Sequence, residues 1–226
     1  FQDLNYTSTA AGVRQIDSWH YRQRIFSFFG RVNYDYKSKY LLSLVLRRDG
    51  YSKLPKDNRW GTFPGISAGW VLSRENFMES CSNVLSYAKI RASYGANGNV
   101  SGVLDANGNV VTGLDYYTVQ GSYGIMKDKD GKIVPNYNGK VPLMINDLPN
   151  PTMRWEKSYT FETGFDIGFL NNKYILNFTY YNRHTQDKFA EITLPSHSGV
   201  SSFLSNNGEV QNQGMELELT ANVLRT

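Results

Sequence analysis

Apolar and polar residues alternate with a period of two over segments longer than ten residues, and this constrains the chain more than any other feature. In residues 24–36, Phe26, Phe28, Val32, Tyr34 and Tyr36 share one parity, and Ser27, Arg31, Asn33 and Asp35 share the other. The pattern recurs in "YLLSLVLRRD" at 40–49 and in residues 60–72, 84–97, 153–169, 174–187 and 210–223, and none of these segments carries a helical period. Strands of a soluble sandwich average about 5–6 residues, whereas a tilted membrane crossing takes about 9–11 with extra residues standing above the bilayer. The expected fold class is therefore all-β, a transmembrane antiparallel β-barrel wall of seven strands.

Composition agrees. Aromatic residues make up 14% of the 226, with 16 Tyr against 12 Phe and 4 Trp, while charged residues make up 19%. Tyrosine suits boundaries between apolar and wet surroundings. The net charge of +4 is modest and the basic residues are scattered, so no nucleic-acid partner is expected. A single cysteine, Cys81, excludes an internal disulfide and a thiolate metal cage, and is expected as a small buried or half-buried filler. No apolar run reaches the length of a spanning helix, a criterion to which barrel walls are invisible because their alternation averages to polar.

The connections "KSK" and "LNNK" are short and those after about Gly98 and Lys188 are long. Barrels of outer membranes have short periplasmic turns and longer outer loops, which orients the strands. "SRENFMESCSN" is the exception, a short-side connection no shorter than the outer loop before it. An odd number of strands, no export signal and no terminal aromatic strand lead to the expectation of one arc of a larger barrel, because an open edge cannot stand in lipid. Residues 1–226 would then be a partial barrel domain without plug or closing strands, with a long outer loop at about 98–152. Phe26, Phe28, Tyr34, Trp70, Phe161 and Phe165 are expected to face lipid, with Met153 and Trp155 on the same parity. Arg31, Arg47, Arg154, Glu156, Glu162 and Asp166 are expected to face the lumen, with Trp60 near the outer aromatic girdle and Trp70 near the inner one.

The blocks "FFGRVNYDYKSKYLLSLVLRRDGYSKLPKDNRWGTFPGISAGWVLSRENFM", "AKIRASYGANGN", "NPTMRWEKSYTFETGFDIGFLNNKYILNFTYYNRHTQDKF" and "NNGEVQNQGMELEL" stand in an order that resembles the SusC/RagA family of TonB-dependent outer-membrane transporters. The resemblance implies a 22-stranded barrel plugged by an N-terminal domain and set in the outer membrane of a Gram-negative bacterium of the Bacteroidota. It implies a SusD-like surface lipoprotein as lid, the TonB complex as energy source, outer-membrane lipid around the wall, and a glycan or peptide too large for porins as substrate. The alternative is a soluble all-β carbohydrate-binding or adhesion module, which would have to cover its aromatic face with a second sheet.

Chemical constellations are sparse. Glu156, Glu162 and Asp166 share a face, but their sequence spacing of six and four does not place two acids as a glycosidase needs, and lumen lining is the simpler reading. "DANGNVVTGLD" from Asp105 and "DKDGK" from Asp128 resemble calcium loops, but Val110 and Tyr116 stand where an EF-hand needs glycine and glutamate. Asn107-Gly108 and Asp130-Gly131 read instead as hairpin turns within the long loop. His20, His184 and His197 lack ligand spacing, and "GANGN" at 95–99 lacks the lysine of a phosphate loop; its glycines are expected to loosen the strand end. No catalytic residue, metal or cofactor is expected. In the long loop, Tyr116, Tyr117, Tyr123 and Tyr137 are the candidates for substrate or lid contact, against the plainer reading that they pack the loop on its neighbours.

Overall fold

The computed structural model describes residues 22–81, 83–104, 110–112, 114, 118–130, 133, 134, 138 and 142–222. Among them eleven strands succeed one another: β1 (Ile25–Tyr36), β2 (Tyr40–Tyr51), β3 (Trp60–Val71), β4 (Leu85–Asn99), β5 (Val103–Leu104), β6 (Val110–Thr112), β7 (Ser122–Ile125), β8 (Leu143–Asp147), β9 (Glu156–Phe169), β10 (Tyr174–Thr193) and β11 (Ser202–Ala221). The long ones form one seven-stranded antiparallel sheet in the order β1-β2-β3-β4-β9-β10-β11, so each strand lies beside its sequence neighbour once the loop carrying β5 to β8 is set aside. That loop holds two small hairpins, β5 with β6 and β7 with β8. The long strands run from 12 to 20 residues.

Local chemistry explains the turns. Lys37 and Ser38 between β1 and β2, and Leu170, Asn171 and Asn172 between β9 and β10, have positive φ, which closes these tight connections. Asp35 Oδ1 accepts from the Ser38 amide at 2.6 Å, an Asx-type contact that fixes the first turn. The connection from β3 to β4 is longer because it winds into two short 3₁₀ turns, Leu72–Arg74 and Asn76–Cys81. Cys81, expected to be at least half covered, is exposed at the end of the second, since this turn lies beyond the edge of the sheet.

Residues directly opposite one another in an antiparallel pair share a face, so the register carries face identity across the sheet. Tyr34↔Leu42, Leu42↔Ala68, Ala68↔Ala92, Ala92↔Thr163, Thr163↔Tyr180 and Tyr180↔Met215 define one face through all seven strands. Phe26, Phe28, Trp70, Phe161 and Phe165 fall on it. The other face carries Arg31, Ser43, Ser67, Arg91, Glu162, Asp166, Thr179 and Glu216.

The β3–β4 ladder runs only from Gly65↔Gly95 to Val71↔Lys89, whereas β3 stays paired with β2 up to Gly50↔Trp60. It stops at Pro64, which has no N–H to give a ladder. Beyond that point the Phe63 ring occupies the cleft and anchors a large buried cluster, made of Tyr51, Leu54, Phe63, Leu114, Met153, Trp155 and Phe189. The cluster sits at the end of the sheet from which the long loops leave. β4 remains paired with β9 as far as Asn99↔Glu156, so the glycines of "GANGN" do not loosen the strand as expected. The cross-strand partner holds them, and the loop spans residues 100–155.

Candidate functional site

The outward face is apolar and uncovered. Among the described residues no second sheet packs on it, although Phe26, Phe28, Val32, Leu44, Leu46, Ile66, Tyr94, Phe161, Met215, Leu217 and Leu219 are all exposed. Aromatic residues gather at its two ends. Toward the long loops, Phe26, Phe28 and Trp60 form a cluster with ring centroids 4.7 to 6.4 Å apart. Toward the short turns, Tyr36 stacks on Tyr40 and Tyr40 on Trp70, at 6.4 and 6.3 Å. Trp60 and Trp70 lie ten residues apart on β3, about 33 Å of strand, which a tilt of about 40° reduces to a band about 25 Å tall. That is the height of the hydrocarbon band on a barrel wall.

The inner face is polar and charged. Arg91 on β4 lies across from Gly164 on β9, where its guanidinium passes over the missing side chain, Nε standing 3.3 Å from Asp166 Oδ1 and Nη2 donating to Thr179 Oγ1 at 2.5 Å. A Cβ at Gly164 would stand 2.2 Å from the Phe178 carbonyl oxygen and 3.3 Å from Arg91 Nη2, so a side chain there would collide with β10 and crowd the guanidinium. Beside it lies a groove of about 530 Å³ lined by Asn33, Asp35, Ser43, Lys89, Arg91 and Glu162. A second, of about 300 Å³, is bordered by Arg31, Glu162 and Arg183. Charged side chains of both signs stand over these grooves, whose walls also include Leu41, Leu42 and small residues such as Ser67 and Gly69. The expected lumen residues Arg31, Glu162 and Asp166 are on this face.

Glu156 and the residues before it depart from expectation. Glu156 is 3% exposed and does not line open space; its Oε1 accepts from the Phe189 amide at 2.7 Å and its Oε2 from Asn99 Nδ2 at 2.6 Å. Met153, fully buried, and Trp155 were expected toward lipid, but they turn into the inner cluster, where the Trp155 indole donates to the Arg59 carbonyl at 3.0 Å. β9 starts only at Glu156, so the alternation before it lies outside the ladder, after a turn at 151–152. Arg47 and Asp49 pair at 2.7 Å beside this cluster. Arg154 reaches Asp187 at 2.6 Å, a contact that holds its guanidinium pKa above the usual value, and the Arg154 backbone is bracketed by the amide of Asn206. Asn150 fastens the end of the long loop by donating to the Leu204 carbonyl at 2.8 Å and accepting from Thr152. The string "NPTMRWE" contains this clasp, and its run of capping and aromatic residues before a strand was the available signal.

At the short-turn rim, Glu75 accepts from the Trp70 indole at 3.1 Å and from Lys39 at 3.0 Å. The Trp70 donor first, then Lys39 and Tyr40, hold its carboxyl below the usual range.

Of the loop tyrosines, Tyr123 stands on β7 opposite Ile145 and is 73% exposed. Tyr116, Tyr117 and Tyr137 lie outside the described residues. So do Asn107, Gly108 and Gly131; the first expected turn is bracketed by the β5–β6 pairing, and the second by the bridge from Lys127 to Ile133. Among the described residues no group of three His, Cys, Asp or Glu is gathered to hold a metal. His184 pairs with Glu209, and His197 sits apart in the turn Ser196–Ser198; His20 is not among the described residues.

A sheet with an uncovered apolar band, aromatic ends and a charged reverse side defines a wall segment of a membrane β-barrel. The chain belongs to the family "TonB dependent receptor-like, beta-barrel", whose model matches residues 1–225. It is similar to TonB-dependent receptor P3 of Formosa agariphila, with 33% identity over 97% of this chain and 20% of that protein. It is also similar to TonB-dependent receptor SusC of Bacteroides thetaiotaomicron, with 32% identity over 96% of this chain and 20% of that one. Among solved structures, the RagAB peptide importer in its closed-closed state superposes with a TM-score of 0.71 and 25% identity, covering 89% of this chain and 20% of its own. The siderophore receptor PirA of Pseudomonas aeruginosa, at 16% identity and a TM-score of 0.51, shares the fold. The chain thus spans about a fifth of the length of the relatives it matches.

Proposed function

We propose that the protein to which this wall belongs imports a large nutrient, a glycan or a peptide, across the outer membrane of a Gram-negative bacterium of the Bacteroidota, in the manner of SusC. The observation that carries this reading is the pairing of a lipid-facing band about 25 Å tall with a charged inner face. The relatives support the rest. Two are named TonB-dependent receptors, and a structural neighbour is a peptide importer. The role is transport rather than catalysis, driven through the TonB complex by parts of the protein beyond this chain, with a SusD-like surface lipoprotein over the long loops. Tyr123, and with it Tyr116, Tyr117 and Tyr137, would offer ring faces to substrate or lid.

The test is deletion of the whole gene followed by growth on defined polysaccharides and on oligopeptides as sole nutrient. Loss of growth on one class, restored by the intact gene but not in a strain lacking TonB, is the expected result. Unchanged growth on both, or uptake indifferent to TonB, would reject the proposal.

A further inference from the structure

The outward face carries a charge that the barrel architecture disfavours. Arg48 on β2 lies opposite Phe28 on one side and Thr62 on the other, on the same face as Leu46, Leu44 and Ile66. Its Cα stands two residues nearer the middle of the band than Gly50, the partner of Trp60. A basic residue facing lipid costs about 2–4 kcal/mol at the midplane and little at the interface, so this side chain must climb. It does so across Trp60, with the guanidinium carbon 5.5 Å from the ring centroid. Gly50 makes room for this, since a Cβ there would meet the Trp60 ring at 2.9 Å.

A second guanidinium stands on the same stripe. Arg24 extends the β1–β2 ladder by one step, its amide donating to Ser52 Oγ at 2.9 Å and its carbonyl accepting from the Ser52 amide at 3.0 Å. Arg24 is exposed, and because this pairing carries the alternation of β1 one step further, its side chain would fall on the side of Phe26. Arg24 and Arg48 therefore flank the Phe26, Phe28 and Trp60 cluster at the loop-side rim of the lipid band. Neither forms an ion pair with a described residue. The acids of β1 to β3, Asp35 and Asp49, both have the other parity, and Asp49 is engaged by Arg47. At the opposite rim the arrangement differs, since Lys39 beside Trp70 is neutralised by Glu75.

Two guanidiniums at the head-group level, with no carboxylate among the described residues to meet them, call for an anion with several acceptor oxygens, and a phosphate presents them to the planar fork in the geometry it matches best. We propose that Arg48, assisted by Arg24, binds a phosphate group of the outer-leaflet lipid, the phosphorylated glycolipid of the outer membrane. This assignment rests on the outer-membrane reading above. The lipid's acyl chains would lie along Leu46, Leu44 and Ile66, and the aromatic cluster would border its sugar.

The test uses the full-length receptor purified in mild detergent, titrated with lipid A and with enzymatically dephosphorylated lipid A, and followed by native mass spectrometry. Envelope fractionation and heat-modifiable gel mobility are measured in parallel, and these judge the membrane reading independently of the arginines. Wild type is expected to bind the phosphorylated lipid at least about tenfold more tightly than the dephosphorylated form. Arg48→Gln should lose about tenfold and the Arg24→Gln, Arg48→Gln pair more, while Arg48→Lys, which keeps the charge but not the fork, should fall between. Lys173→Gln, at the short-turn rim, should bind as wild type does. Equal binding of the two lipids, an Arg48→Gln variant indistinguishable from wild type, or an equal loss in Lys173→Gln would overturn the proposal.

Discussion

Replacing Glu156 by leucine tests whether the loop-bearing end of the sheet is held by one buried carboxylate. The side chain accepts from the Phe189 amide at 2.7 Å and from Asn99 Nδ2 at 2.6 Å. Hydrogen bonds to a charged group contribute about 1.5–3 kcal/mol each, and a buried donor left without an acceptor costs about 1–3 kcal/mol. Asn99 is only partly covered and can turn to water, but the Phe189 amide has no such outlet, because Phe189 is packed in the cluster. The local opening free energy should therefore fall by about 3 kcal/mol. At one decade per 1.4 kcal/mol, amides around Phe189 should exchange about 150-fold faster. Hydrogen exchange on the full-length receptor in detergent, read on the peptide covering residues 186–193, measures this directly. Glu156→Gln keeps one acceptor and sets an N–H against a donor, so it should lie between, near tenfold. Glu162→Gln, on the open inner face, should leave that peptide unchanged. Exchange in Glu156→Leu within about threefold of wild type would refute the reasoning and shift the weight of the clasp to the apolar cluster.

The two faces and the short-turn rim carry further expected outcomes. Ile66→Arg, midway between Trp60 and Trp70 on the outward side, should cost about 2–4 kcal/mol of folding free energy in lipid vesicles, measured by denaturant titration, while Ser67→Asn at the same depth inside should be near neutral. Gly164→Ala should lower the yield of heat-modifiable folded barrel, because its Cβ would meet the Phe178 carbonyl at 2.2 Å and a ladder oxygen cannot move aside. Glu75, whose carboxyl is held low by Trp70, Lys39 and Tyr40, contributes stability that is present above the unfolded carboxylate value of about 4.3 and is lost as pH falls through the folded value. The fluorescence of Trp70 should therefore shift on acidification in wild type and show no such transition in Glu75→Gln.

The seven wall strands were legible, because a period of two is dictated by the pleat and one side must meet lipid. β10 and β11 nevertheless run further than expected: residues 188–193 and 202–209, expected within a long loop after Lys188, pair with each other, and only 194–201 connect the two strands. The long loop after β4 was not legible. β5 to β8 are too short for alternation to register, and Tyr123 gained its place only through pairing with β8. Met153 and Trp155 show where the rule misleads. Their parity continues that of β9, yet the ladder has ended, and beyond a ladder the backbone is free to turn an apolar side chain wherever a cavity awaits it. Glu156 fails for a different reason: it keeps its place in the ladder opposite Asn99 and from sequence is one more carboxylate on a polar parity, and only the approach of Phe189 from β10 converts it into a buried acceptor. The break in the β10–β11 register near Asp187, with φ of 57°, likewise has no apolar signature to announce it.

The abrupt end of the β3–β4 ladder at Pro64 divides the wall into two leaves. Along most junctions the strands are stitched from rim to rim, but between these two the stitching is the shortest in the seven-stranded sheet and the remainder is closed by a single aromatic plug, Phe63. Side chains slide more readily than backbone hydrogen bonds break, so this junction has the least backbone resistance to parting, at its end toward the long loops. Any force that the loops apply at that rim would be relieved there first, parting the two leaves at the loop end while the lower wall keeps its seal against lipid.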